Sequence, residues 1–265
     1  MRGGGAERVL QNLLNQMIVT CPHFHIHLIL AKKEGVLLSG LNSRIKIIDC
    51  NKLHVKSCLF YLIKYFNVEK PDYFVSTLDY VNITVSFVHK LTRSKSKLLL
   101  WEHNTLSIHS KITISKYDFL NKILIKYCYN RAYRIVVVSK GIKDDLISKY
   151  NLSEKNISVI YNPVYNDSII QSSNTKDKET NVINIPYIVT VGRLVKQKNY
   201  FNLITAFKIL LESKIINNIN LVIIGEGKEK NNIIELINQL KINNYVYLTG
   251  FLRNPFPIIK NSIAV

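Results

Sequence analysis

Ile185-Pro186-Tyr187-Ile188-Val189-Thr190-Val191-Gly192-Arg193-Leu194 carries an apolar run into a glycine and a cation, and Gln197-Lys198-Asn199 follows within one short loop. The run from Ile185 to Val191 reads as a buried strand. Asn199 is a good N-cap for the segment after it, where Phe201, Ile204, Phe207 and Leu211 recur at helical spacing. Arg193 and Lys198 thus stand between the C-terminal end of a strand and the start of a helix. Open α/β sheets bind ligands at that edge, and a helix N-terminus adds partial positive charge and free N–H groups. The chemistry suits a phosphate or diphosphate. Two cations in a loop are also what an ordinary solvated surface looks like, so the reading needs a second feature.

Leu221 to Ile224 is another buried-strand run and exits into Gly225-Glu226-Gly227. Ile233 to Leu240 repeats at helical spacing, and Tyr245 to Leu248 forms a third strand into Gly250-Phe251. Strand, helix, strand, helix, strand, with glycines at the strand exits, is the pattern of a parallel, doubly wound sheet. Gly225 and Gly227 would let a nucleotide approach the backbone closely. They fall short of the dinucleotide fingerprint, because the third glycine is missing.

The N-terminal half has the same grammar. A helix is expected from Gly3-Gly4-Gly5 to about Met17, and strands at Phe24–Leu30 and Ile45–Ile48. A helix over Leu59–Tyr65 is broken by Lys70-Pro71-Asp72 before the strand Tyr73–Ser76. Lys97–Trp101 is a strand ending at Glu102-His103-Asn104, and Phe119–Tyr133 is a long helical pattern before the strand Ile135–Val138. Lys111 to Arg134 interleaves basic and apolar residues; it reads as a helix packed on the sheet with a solvated basic face, or as one lying on an anionic membrane. Asn166 to Asn184 is polar and aperiodic. The domains expected are 1–164, a linker or mobile loop over 165–184, and 185–265.

Taken together these stretches resemble family 4 (group 1) glycosyltransferases. The matches are Val191-Gly192-Arg193-Leu194 with Gln197-Lys198-Asn199, Leu221–Gly227, and Leu248-Thr249-Gly250-Phe251 in one half. In the other they are Gly3–Val9, Glu102-His103-Asn104, Val138–Ile142 and Ile160-Tyr161-Asn162-Pro163-Val164. The resemblance implies the GT-B fold: two Rossmann-like, doubly wound α/β domains facing a cleft. The first domain would serve the acceptor and the second the nucleotide-sugar. It implies a retaining transfer from a nucleotide-diphosphate donor, UDP favoured over GDP, to a lipid-linked or polysaccharide acceptor in cell-surface glycan assembly. Arg193 and Lys198 would stabilise the leaving diphosphate by preorganised charge. Gly4 and Gly5, at a helix N-terminus, would approach the same diphosphate, with Gly192, Gly225, Gly227 and Gly250 also on the donor side. His103 would contact the donor sugar or position the reacting centre, whereas Glu102 would orient the loop. Family members begin with a strand before the glycine loop, and continue past the equivalent of Val265 into a pair of glutamates that hold sugar and ribose. The resemblance therefore implies a fold incomplete at both ends, and an inactive remnant is one alternative. A GT-B sugar-nucleotide epimerase is another, opposed by the Gly192–Asn199 match.

Composition narrows the remaining classes. Lys and Arg number 36 against 18 Asp and Glu, giving a net charge of +18. Such a field attracts polyanions, although abundant Lys, Asn and Ile throughout would also produce it. An anionic membrane surface is the expected partner beside donor and acceptor. Nucleic acid is disfavoured, since no zinc-finger spacing, RRM signature or basic zipper occurs. There is no Asp-x-Asp and no His/Cys/Asp cluster at metal spacing, so neither metal nor cofactor is expected. Cys21, Cys50, Cys58 and Cys128 show no disulfide framework. No apolar run approaches the ~18 residues of a membrane span. The expected location is cytoplasmic, peripheral on the inner membrane face.

Overall fold

The computed structural model describes residues 4–108, 118–163, 167–175, 185–213, 215–216 and 218–265. The chain forms two compact units, Met1–Pro163 and Val164–Val265.

The first unit opens with helix α1 (Gly5–Thr20), followed by β1 (His27–Leu30) and β2 (Lys46–Asp49), a parallel pair. Helix α2 (Leu59–Val68) leads to β3 (Tyr73–Thr77), α3 (Asp79–Leu91), β4 (Lys97–Glu102), α4 (Asp118–Tyr129), β5 (Arg134–Val137), α5 (Lys140–Tyr150) and β6 (Ile157–Val159). Strands β3-β4-β5-β6 make a four-stranded parallel sheet in that order. Leu98 and Leu100 of β4 and Ile135 and Val137 of β5 turn into one core with Val85 and Val88 of α3, Tyr129 of α4 and Leu146 of α5. Alternate residues of these strands share that face because side chains repeat every two positions.

Two of these helices, α3 and α5, go beyond the sequence expectations. In α3, Val81, Ile83, Thr84 and Val85 are β-branched, which weakens helix propensity and mimics a strand. The start of α5 is marked by Ser139, whose hydroxyl accepts from the Ile142 N–H at 3.2 Å, an N-cap that spacing alone did not expose. For the basic segment Lys111–Arg134, the part before Asp118 lies outside the described residues. In α4 itself Ile125, Cys128 and Tyr129 are buried, while Ile123, Leu124 and Tyr127 are exposed.

The second unit holds α6 (Asp167–Ser173), β7 (Tyr187–Val191), α7 (Tyr200–Ser213), β8 (Asn220–Ile224), α8 (Lys230–Gln239), β9 (Val246–Gly250) and α9 (Phe256–Lys260). Strands β7-β8-β9 are parallel, and Ala264 bridges to Ile188 on β7. Leu221 and Ile223 of β8 pack with Ile204, Phe207, Ile233 and Ile237, whereas Val222 and Ile224 pack with Tyr187, Val189 and Ile258. Both sheet faces are covered, so all five residues of β8 are buried.

The 165–184 stretch contains more structure than its polarity suggested. Helix α6 packs on α9, and the Asn254 side-chain amide donates to the Ser172 carbonyl at 2.8 Å and to the Thr175 hydroxyl at 3.0 Å. Those anchors lie some eighty residues away, beyond the reach of local periodicity. Residues 176–184 lie outside the described residues.

Candidate functional site

In the second unit, Gly192 leaves β7 and the chain turns through Leu194, which is fully buried, into a short 3-10 turn at Lys196–Lys198. Asn199 then adopts a left-handed conformation, φ 52°, immediately before α7. An N-cap has an extended backbone, so Asn199 here shapes the turn by tolerating positive φ. Arg193 and Lys198 are exposed, and their side chains make no hydrogen bond or ion pair with any described residue. The Lys198 stem lies along Gly192: a Cβ there would meet Lys198 Cε at 3.7 Å and the Tyr200 hydroxyl at 3.0 Å. The two cations thus flank one strand exit beside a helix start, free to meet an anion.

The glycines after β8 serve this loop in an unexpected way. A Cβ on Gly225, whose φ is +151°, would fall 1.9 Å from the Gly192 carbonyl oxygen. One on Gly227 would fall 2.2 Å from the Leu194 carbonyl oxygen. The space expected for a nucleotide at these two Cα atoms is occupied by the chain's own backbone. Hydrogen bonds fasten the contact: Gly192 N–H to Ile224 O at 3.0 Å, Leu194 N–H to Glu226 O at 3.0 Å, and Glu229 N–H to Leu194 O at 3.0 Å. Gly250 has φ +77° and its carbonyl accepts from the Gly225 N–H at 2.8 Å. The three glycines lock neighbouring strand exits together and hold the Arg193–Lys198 loop in place.

A groove of about 580 Å³ opens between this loop and α8. It is lined by Lys196, Asn199, Phe201, Glu229, Asn232 and Glu235 among others, without Arg193 or Lys198. Its two carboxylates make it a poor diphosphate site. The cations belong to the strand-exit side of the loop.

In the first unit, Gly4 precedes α1 and its N–H donates to Glu7 Oε2 at 2.9 Å. Glu7 therefore takes one of the amides that the glycine loop offers to an anion. Gly5 has open space around its Cα. His103 follows β4, half-buried, with its ring 4.6 Å from that of Trp101 at an interplanar angle of 42°. Its Nε2 is buried without a hydrogen-bond partner among the described residues. Burial pushes the imidazole below its usual range, which keeps it neutral at pH 7.

Behind His103 lies a polar cluster that the sequence did not disclose. Glu102 is fully buried, and its Oε1 accepts from the Asn82 side-chain amide at 2.6 Å and from the Tyr129 hydroxyl. Asn82, also fully buried, accepts from the Ser76 hydroxyl at 2.6 Å. Burial pushes the Glu102 carboxyl up to about 8, only partly offset by the Tyr129 and Asn82 hydrogen bonds. Burial, then the Glu102 charge, drives the Tyr129 phenol well above its usual value. Asn82 and Tyr129 come from helices far apart in sequence, and no local motif marks either. Among the described residues no three His, Cys, Asp or Glu side chains gather as a metal-ligand set. Among them too, no helix is long and apolar enough to cross a membrane.

Comparison with known proteins follows the same division. The family described as Glycosyltransferase Family 4 matches residues 3–167, and that described as Glycosyl transferases group 1 matches residues 172–263. The Campylobacter jejuni N-acetylgalactosamine-N,N'-diacetylbacillosaminyl-diphospho-undecaprenol 4-alpha-N-acetylgalactosaminyltransferase is 28% identical over 266 aligned positions, covering 96% of this chain and 68% of that protein. An uncharacterized glycosyltransferase of Methanocaldococcus jannaschii is 29% identical over 241 positions, covering 87% of this chain and 57% of that one. Among solved structures, Anabaena HepE in complex with UDP-glucose superposes with a TM-score of 0.75 at 16% identity, over 98% of this chain and 69% of that one. The lipopolysaccharide outer core galactosyltransferase WaaB, in its apo form, gives 0.62 at 18%, over 98% and 68%. The fold is that of the GT-B enzymes, and the chain belongs to the family 4, group 1 glycosyltransferases.

Proposed function

We propose that this protein is a retaining glycosyltransferase that takes a sugar from a nucleotide-diphosphate donor, UDP-linked in preference to GDP-linked. The acceptor would be lipid-linked or a polysaccharide in cell-surface glycan assembly. The observation that carries this reading is the pair of unpaired cations, Arg193 and Lys198, on a loop that three glycines fix between a strand exit and a helix start. As the glycosidic bond breaks, negative charge builds on the departing diphosphate. Cations carried on a backbone-anchored loop lower the energy of that charge, and loss of one such group costs ~3 kcal/mol in comparable sites. Burial disfavours the imidazolium that proton abstraction would create, so His103 suits a hydrogen bond to a sugar hydroxyl better. The names of relatives support the substrate classes: UDP-glucose for HepE, and a diphospho-undecaprenol acceptor for the Campylobacter enzyme. A calorimetric screen of UDP, GDP and ADP tests donor and base together. UDP should bind most tightly; equal affinity for all three would remove the base preference, and no binding would remove the donor site.

Membrane association is part of the same proposal. Tyr80–Trp101 and Phe119–Lys143 contain ten Lys or Arg and no Asp or Glu; α3 and α4, which pack side by side, each begin on the aspartate just before these stretches, Asp79 and Asp118. Phe87, Leu91, Ile123 and Leu124 are exposed there, and the Arg131 guanidinium sits 3.6 Å from the Tyr127 ring centroid. Apolar side chains interleaved with cations suit an anionic bilayer surface. Sedimentation with anionic vesicles should exceed that with neutral ones and fall as salt rises. Equal partitioning to both would remove the electrostatic basis.

A further inference from the structure

We propose that Glu102, Asn82 and Tyr129 form a positioning unit for His103, in which Glu102 acts as a neutral, hydrogen-bonded acid rather than as a carboxylate. The inference rests on the reading of His103 as a sugar-facing residue and concerns what holds it there.

Glu102 is the last residue of β4 with a ladder partner. It stands opposite Val137 of β5, and its carbonyl accepts from the Val138 N–H at 3.3 Å. On the other flank the ladder already stops at the Thr77–Trp101 pair. The backbone therefore leaves the sheet at His103 without cross-strand bonds to fix its direction. Consecutive side chains of a strand point to opposite faces. Glu102 enters the core while Trp101, on the other face, packs against the His103 ring. The Glu102 side chain is tied to α3 through Asn82 and to α4 through Tyr129, and Asn82 is itself tied to β3 through Ser76. One strand end is thus fastened to three elements immediately before the residue that must be aimed. Buried polar groups that are mutually satisfied specify a single arrangement more sharply than apolar packing does.

Charge decides the form of the acid. The ionisable groups facing the carboxyl are Asp79 on α3 and Tyr129 on α4, and His103 is next in the chain; Ser76 on β3 and Val137 on β5 are uncharged. Among the described residues no cation acts on Glu102, and Asp79 opposes its ionisation. Glu102 Oε2 has no hydrogen-bond partner among the described residues, a costly state for a charged oxygen and a milder one for a hydroxyl. A glutamine has the same shape as the neutral acid, with an acceptor at Oε1 and a donor in place of the Oε2 hydroxyl.

The protein's single tryptophan supplies the readout, because Trp101 is the ring packed against His103. Protonated imidazole should quench its fluorescence, so a pH titration of emission follows His103 without nucleotide, acceptor or turnover. The wild-type chain should show one transition below the ordinary imidazole value of about 6.5 and a second near 8, where Glu102 ionises. Glu102→Gln should abolish the second and leave the first in place. Tyr129→Phe, which removes one hydroxyl and keeps the ring in the core, should move the first up toward about 6.5 as His103 gains access to water; Glu102→Ala should do the same more strongly. Circular dichroism identifies variants that remain folded, and Tyr129→Phe carries the test if Glu102→Ala does not fold. A His103 transition unmoved in folded Tyr129→Phe would overturn the positioning role. A transition near 8 that persists in Glu102→Gln would overturn the neutral acid. Neither result depends on whether the chain binds UDP, so failure here and failure of the transferase reading are separate.

Discussion

The two units each present a strand exit to solvent, and they hold it by opposite means. In the second unit the Arg193–Lys198 loop is fixed by backbone against backbone, with Gly225 and Gly227 making room for the carbonyls of Gly192 and Leu194. Arg193 and Lys198 there are exposed and unpaired among the described residues. In the first unit the Glu102–His103 exit is fixed by side chains, through a buried cluster of Ser76, Asn82, Glu102 and Tyr129. Under the proposed function, a loop that presents charge to an anion gains from a frame with no side chains to shield it, and a neutral residue facing a sugar gains from a polar anchor in the core.

Substitutions should separate the two designs. The largest effect is expected at Gly225. Alanine there meets a carbonyl oxygen at 1.9 Å and an unfavourable φ, so Gly225→Ala should destabilise the second unit by about 3 kcal/mol, seen as an early urea transition. Next comes Asn82→Ala, which strands the Ser76 hydroxyl and leaves the buried Glu102 carboxyl with Tyr129 as its one donor, and should cost about 2 kcal/mol in the first unit. A pH series should sharpen the contrast. Glu102 binds a proton more tightly when folded, about 8 against about 4.3 unfolded. The folded state therefore carries the extra proton across that window, and the first unit should lose stability as pH rises from about 4.3 to about 8. Glu102→Gln should flatten that slope, whereas an unchanged slope would place its origin elsewhere. The smallest effect is expected at Gly5, at the start of α1 with open space around it, where alanine should stabilise by about 0.5 kcal/mol or less. A loss at Gly5 as large as that at Gly225 would mean that backbone contact is not what distinguishes these glycines.

The difference also explains what the sequence disclosed. Glycines at strand exits, and cations between a strand and a helix, are local features, so Gly192, Arg193, Lys198, Gly225, Gly227 and Gly250 could be read off the chain. Their roles were only half legible, because Gly225 and Gly227 admit the protein's own loop at the positions expected to admit a nucleotide. The parallel strands were legible from continuous apolar runs such as Leu221–Ile224. Helix α3 was hidden by its β-branched residues, and α6 by a polar sequence whose anchors come from Asn254. Asn82 and Tyr129 reach Glu102 across 20 and 27 residues of sequence, a proximity that only the folded sheet creates.

The central claim is that the glycine-framed loop presents Arg193 and Lys198 to a diphosphate. Its most direct test is calorimetric titration of UDP and of uridine into the wild-type chain and Arg193→Ala. A lost charge-assisted contact is worth about 1.5–3 kcal/mol, so UDP affinity should fall by about tenfold or more, with uridine affinity unchanged. Equal losses for UDP and uridine, or no loss for either, would contradict the claim and leave the loop an ordinary solvated surface.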